Sequence, residues 1–180
     1  MSWILTYTGR RFDLLEPTAA MVSPQDLAHA LARLCRFNGH CVTHYSVAQH
    51  SCFVADLVPA GDQLAALLHD ATEAYVGDMV RPLKDLLPEY REIEHRIWLA
   101  ICERFLLDPI LPASVKRADL VALATERRDL MPNQQGEWNC LIGIPTYAAQ
   151  VMPRKAEEAS FHYFRRLMDL MQTAHRGRAA

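Results

Sequence analysis

The chain has no strong charge imbalance, no closely paired cysteines and no long apolar run, and each absence removes a class of protein. Across 180 residues, 19 lysines and arginines stand against 21 acidic residues. That balance argues against a surface built to coat nucleic acid, while leaving room for a small basic pocket for phosphate. The five cysteines, at 35, 41, 52, 102 and 140, form no CxxC pair and are odd in number. A secreted disulfide scaffold and a structural zinc site are therefore set aside, and most of the thiols read as small buried hydrophobes in a reducing compartment. No apolar stretch reaches the roughly 18 residues of a membrane span, and the N-terminus lacks the basic-then-apolar pattern of a secretion signal. A cytoplasmic protein is expected. There is no internal repeat, low-complexity tract or linker, so one domain is expected over 1–180.

What is present is mostly helical periodicity. Residues 3–15 break into two β-prone pieces around Thr8-Gly9, which predicts a short hairpin within an N-terminal extension over 1–22. Ser23-Pro24 is a helix start, and the following DLAHALARLCRF keeps helical spacing until Asn38-Gly39. A second helix follows in YSVAQHSCFVADLV, with Val47, His50, Ser51, Val54 and Val58 on one side. The spacing then predicts an unbroken helix from about Asp62 to Tyr75, while Pro82 and Pro88 restrict the next segment to loop or single-turn structure. Helices are predicted over about 89–106, with Ile93, Ile97, Ile101 and Phe105 four apart, and over about 113–130, with Val115, Ala118, Ala122 and Thr125 inward. Residues 131–152 read as irregular. A last helix over about 154–173 presents Phe161, Phe164, Leu167, Leu170 and Met171 for packing, and 175–180 reads as a frayed tail. The fold class is all-α, a single bundle of about six helices with a core over 23–174 and a minor N-terminal hairpin.

Three of these helices carry polar groups where a packed face wants apolar ones. His50 interrupts the Val47–Val54 stripe, Asp119 falls beside Val115, Ala118 and Ala122, and His69-Asp70 sits at the end of an apolar run, LAALL. A lone histidine there is commonly a hydrogen-bonded core residue, and a lone aspartate commonly pairs with a cation such as Arg117 or Arg127. An unpaired buried carboxylate costs several kcal/mol, however, and two histidines with two carboxylates from three helices suit a divalent transition metal. In a helix, Asp70 and Glu73 share a face, and His69 and Glu73 are four apart.

The order of these groups resembles the HD-domain metal-dependent phosphohydrolase superfamily. Locally, SVAQHS (46–51), HDATE (69–73) and GDMVRPLK (77–84) are similar to its bacterial 5'-deoxynucleotidase branch and to small phage and prophage HD hydrolases. The resemblance runs from about Arg36 to Asp119. It implies that His50, His69, Asp70 and Asp119 bind one divalent ion per subunit, of manganese, cobalt, iron or zinc, leaving positions for water and a phosphate oxygen. Glu73 matches the catalytic glutamate, acting as base, acid or water-orienter. Asp78 matches a residue that favours deoxyribose, its alternative being a helix-end turn aspartate.

Arg36-Phe37 resembles the branch's Arg-Trp pair, in which the arginine holds phosphate; Phe keeps the aromatic packing but loses the indole donor. Arg81 and Lys84 are candidates for further phosphates, or solvated loop charges. Arg81 replaces a small polar residue of the branch, which admits a triphosphate substrate. Between Asp70 and Asp119 only His95 is available for a second metal, so a mononuclear site is expected. His29, His40, His44, His162 and His175 match no motif. Glu126-Arg127-Arg128-Asp129 reads as a helix-face ion-pair cluster or as support for Asp119. The implied activity is phosphate release from a nucleotide, a deoxynucleotide first, by a homo-oligomer with no nucleic-acid or membrane partner. The alternatives are another phosphoester, a signalling nucleotide, or a non-catalytic nucleotide binder.

Overall fold

The computed structural model describes residues 1–132, 136 and 138–179, with residues 175 and 177–179 described by backbone alone. It is an all-α domain carrying one N-terminal hairpin. Strands β1 (Trp3–Leu5) and β2 (Arg11–Asp13) pair antiparallel with Ile4 opposite Phe12. The turn between them passes through Gly9 at φ 77°, where a side chain would be strained. Two bonds anchor the turn: the Thr8 amide and hydroxyl donate to the buried Asp26 carboxylate at 2.7 and 2.9 Å. Phe12, fully buried, stacks on Tyr75 with ring centres 3.6 Å apart.

The helices are α1 (Pro24–Leu31), α2 (Val47–Asp56), α3 (Gln63–Leu68), α4 (Glu73–Val76), α5 (Arg81–Lys84), α6 (Pro88–Phe105), α7 (Ala113–Leu130) and α8 (Ala156–Ala179). Helix α2 lies at the centre, packed against α1, α3, α7 and α8. Its N-terminus is closed by Ser46, whose hydroxyl accepts from the Gln49 amide at 3.2 Å. The predicted inner stripes are buried: Val47, His50, Ser51 and Val54 on α2, and Val115, Ala118, Ala122 and Thr125 on α7. Among the described residues no helix is long and apolar enough to cross a membrane.

Four expectations need correction. Helix α1 ends at Leu31 rather than near Phe37, because the chain turns out to pair Cys35 with Ser46 in an isolated bridge and the Arg36 amide donates to Tyr45 O at 2.9 Å. The helix expected over 62–75 is interrupted at 69–72. There the amides of Ala71 and Glu73 reach back three residues, to Leu68 and Asp70, tightening the turn around His69-Asp70. On α8, Leu167, Phe164, Leu170 and Met171 pack on the core as expected, joined by the buried Ala159 and Tyr163, whereas Phe161 is exposed. Helix α8 also continues to Ala179 instead of fraying from 175; Ala180 lies outside the described residues.

The prolines act as expected, α5 being a single turn begun by Arg81-Pro82. The described part of 131–152 is irregular apart from a short turn at Asn139–Leu141; residues 133–135 and 137 of that segment lie outside the described residues.

Candidate metal centre

Three elements deliver the cluster. Helix α2 supplies His50, the tightened turn after α3 supplies His69 and Asp70, and α7 supplies Asp119 and, two turns on, Glu126. Seven residues advance a helix by nearly two full turns, so Asp119 and Glu126 share one face of α7.

The Nε2 atoms of His50 and His69 point to a common centre. His50 Nε2 is 3.2 Å from Asp119 Oδ1 and 3.4 Å from Asp70 Oδ2. His69 Nε2 is 3.3 Å from Asp70 Oδ2 and 3.9 Å from Asp119 Oδ1. One donor atom each from His50, His69 and Asp119 fall within 4.8 Å of one another, a spacing that can hold an ion. Asp70 Oδ2, near both rings, extends that set to the four residues expected from the sequence.

Outside the cluster, both rings are held by their other nitrogen. Nδ1 of His50 lies 2.6 Å from the carboxylate of Glu126, and Nδ1 of His69 lies 2.7 Å from the Ala66 carbonyl. Both partners only accept, which assigns the Nδ1 proton and turns Nε2 inward. Yet both Nε2 atoms are buried and make no hydrogen bond among the described residues. Two lone-pair nitrogens facing two carboxylates are mutually repulsive until a proton or a cation lies between them. The donor chemistry and the orphaned nitrogens together fit a divalent ion.

Electrostatics agree. Burial and Arg36 disfavour an imidazolium at His50, but Glu126, Asp119 and Asp70 outweigh them and hold its pKa well above the usual range. Burial also opposes charge on Asp70, yet His69, His50 and Arg36 bring its pKa well below a normal carboxylate; Asp119 is lowered by His50 and His69 in the same way, again against burial.

Glu73 behaves oppositely. Burial, then Asp70 and Asp78, push its pKa well up, and its Oε2 is buried with no hydrogen-bond partner among the described residues. Asp78, half-buried, is also raised, chiefly by burial.

Arg36 joins the centre directly. Its guanidinium sits 3.1 Å from Glu126 and 3.6 Å from Asp70 and lies 5.3 Å from the Phe37 ring. Phe37 in turn is 6.1 Å from Trp138, so an indole from a distant loop stands beside the position where the sequence lacks one. Lys84 pairs with Glu94 at 2.7 Å but is near enough to Glu73 and Asp78 to favour their ionisation. Arg81 is exposed on the first turn of α5.

For Glu126 the supporting role fits better than the ion-pair cluster, with His50 rather than Asp119 as the residue it holds. It is a fully buried carboxylate that orients His50 and holds Arg36. Its three followers do other work. Arg127 lies 5.1 Å from the Trp138 ring, while Arg128 bonds Thr146, Tyr147 and Ala149 and pins the irregular segment to α7. Asp129 accepts from Arg128 and from the Val151 amide.

Fold and site define a small helical domain built around a partly buried cluster of two histidines and two aspartates. No family model matches the chain. It is 41% identical over 173 residues to Uncharacterized protein YfdR of Escherichia coli (strain K12), covering 96% of this chain and 97% of that one. It is 37% identical over 158 residues to Uncharacterized protein RCAP_rcc00048 of Rhodobacter capsulatus, covering 80% and 81%. The chain belongs to the YfdR family.

Proposed function

We propose that this protein is a divalent-metal-dependent phosphohydrolase of the HD type that removes phosphate from nucleotides, deoxynucleotides first. The observation that carries the reading is the pair of inward, unbonded Nε2 atoms facing Asp70 and Asp119. His50, His69, Asp70 and Asp119 would hold the ion. When bound, such an ion supplies Lewis acidity at phosphate and a lowered pKa for water.

The chain's own groups do the rest. Glu126 and the Ala66 carbonyl keep both imidazoles in the tautomer that leaves Nε2 free. Glu73, whose pKa burial raises, is the group that would exchange a proton with attacking water or leaving oxygen. Arg36 offers a planar guanidinium to phosphate oxygens while Glu126 fixes its orientation. Phe37 and Trp138 offer aromatic faces to a base. A cytoplasmic setting and self-association are part of the same proposal.

The test is metal-dependent release of phosphate or nucleoside from a panel of dNMPs, NMPs and dNTPs, each with manganese, cobalt, magnesium or zinc. Turnover of deoxynucleotides that is lost in His69→Ala and in Glu73→Ala is expected. Silence of the metal-loaded protein across the panel overturns the nucleotidase reading.

A further inference from the structure

A cavity of about 610 Å³ opens at the start of α1 and shares no lining residue with the candidate metal centre. The hairpin turn contributes Arg10 to it, the end of α6 contributes Glu103 and Arg104, and α8 contributes Phe164 and Met168. The first turn of α1, from Ser23 to Gln25, completes the lining. That turn is left open. Pro24 has no amide to offer, and the Gln25 and Asp26 amides make no hydrogen bond among the described residues. A serine at this position ordinarily closes the turn with its hydroxyl, as Ser46 does on α2. Ser23 makes no such bond. It is only 4% exposed, its hydroxyl has no hydrogen-bond partner among the described residues, and the little of it that is exposed lies on the cavity wall. Nor does an acid fill the place. The carboxylate of Asp26 is turned to the hairpin and taken by the Thr8 amide and hydroxyl. Two cations line the same space without a counter-charge, since Arg10 and Arg104 form no ion pair among the described residues. Arg104 Nε donates to the Val22 carbonyl at 3.4 Å, which leaves its terminal nitrogens free. Two guanidiniums outweigh the one carboxylate of Glu103, and the N-terminal end of α1 adds positive potential. Phe164 and Met168, both half-buried, give the cavity an apolar side.

We propose that this cavity binds a phosphate monoester. The phosphoryl group takes the Gln25 and Asp26 amides and the Ser23 hydroxyl as donors, Arg10 and Arg104 pair with its outer oxygens, and the carbon part of the ester rests on Phe164 and Met168. A ligand held this way joins the hairpin, α1 and α6 across the cavity. The site stands or falls whatever reaction the metal centre performs.

The test strips the full-length protein of metal, dialyses it, and titrates it with inorganic phosphate and with phenyl phosphate at constant ionic strength, following backbone amides by NMR. Saturable shifts of the Gln25 and Asp26 amides are expected with both probes, and about fivefold tighter binding of phenyl phosphate. Arg10→Gln and Arg104→Gln should each raise the dissociation constant about tenfold. Glu103→Gln should lower it about threefold by removing the opposing charge. Arg117→Gln, an exposed cation on α7, should leave it unchanged. Shifts confined to Arg36 and the His69-Asp70 turn would overturn the site, as would shifts at Gln25 and Asp26 that neither arginine substitution weakens. Equal affinity for the two probes would overturn the ester and leave a site for phosphate alone. The wild-type titration locates the ligand by itself, so a variant that fails to fold does not shield the idea.

Discussion

At the scale of single residues, the centre is a set of charges that satisfy one another only in part. Glu126 has no exposure and two partners, His50 and Arg36. Glu126→Gln should weaken manganese or cobalt binding by roughly 10–100-fold in calorimetry, because it removes the carboxylate that orients His50. Glu126→Ala should in addition destabilise the metal-free fold by about 3–5 kcal/mol in urea unfolding, since it leaves Arg36 without its nearest counter-charge.

Glu73 makes a prediction of the other sign. Its folded pKa is raised above the unfolded value, so the native state binds the extra proton and stability is lost as pH rises through the folded pKa. In metal-free protein, Glu73→Gln should therefore melt at a higher temperature than wild type at neutral pH, by about 1–3 kcal/mol of stability. The gap should close below the ordinary carboxylate range, near pH 4. If the nucleotidase reading holds, the same variant should have lost turnover.

The four residues of the tetrad stood out because His50 and Asp119 interrupt apolar stripes and His69-Asp70 closes an apolar run; their grouping came from the family resemblance. Glu126 was legible only as one end of an ion-pair cluster or as support for Asp119, since Arg127, Arg128 and Asp129 follow it. Its burial depends on Arg36, 90 positions away, which no local pattern reveals.

At the scale of elements, sequence periodicity located α6 and α7 to within a residue, and proline marked their ends. It misplaced the elements whose ends depend on tertiary bonds. Helix α1 stops where Cys35 finds Ser46, and the His69-Asp70 turn tightens where a continuous apolar run promised an unbroken helix. Phe161 looked like a packing residue because aromatic residues are read as core; the i, i+4 row that docks is Ala159, Tyr163 and Leu167.

The Ser46 cap carries an element-scale prediction. Ser46→Ala should cost about 1 kcal/mol in chemical denaturation, through the unsatisfied Gln49 amide at the start of α2. Gln49 also fastens the irregular segment, donating to Met152 O and accepting from the Arg154 amide. Arg128→Ala should therefore loosen residues 139–147 more than 152–154, which limited proteolysis can read from the order in which the two stretches are cut.

At the scale of the whole molecule, an ion held as proposed would make binding and folding one equilibrium, because its candidate ligands come from segments as far apart as His50 and Asp119. Manganese or cobalt at 100 times its dissociation constant should add about 2.7 kcal/mol, a rise of roughly 5–10 °C in melting temperature that a chelator reverses. No such rise should be seen for His69→Ala.

The placement of α8 has a consequence for how the protein is made. Its Tyr163 hydroxyl donates to the Leu67 carbonyl at 3.1 Å, and Leu167 is fully buried in the core. Helix α8 packs on α1, α2 and α3, which leave the ribosome long before it does. A newborn chain thus carries the faces of its first three helices that α8 covers without that cover until residues 156–179 are translated. A transcript cut short ahead of residue 156 yields a polypeptide carrying all four residues of the tetrad but no lid over its core, a ready substrate for the cell's quality-control proteases.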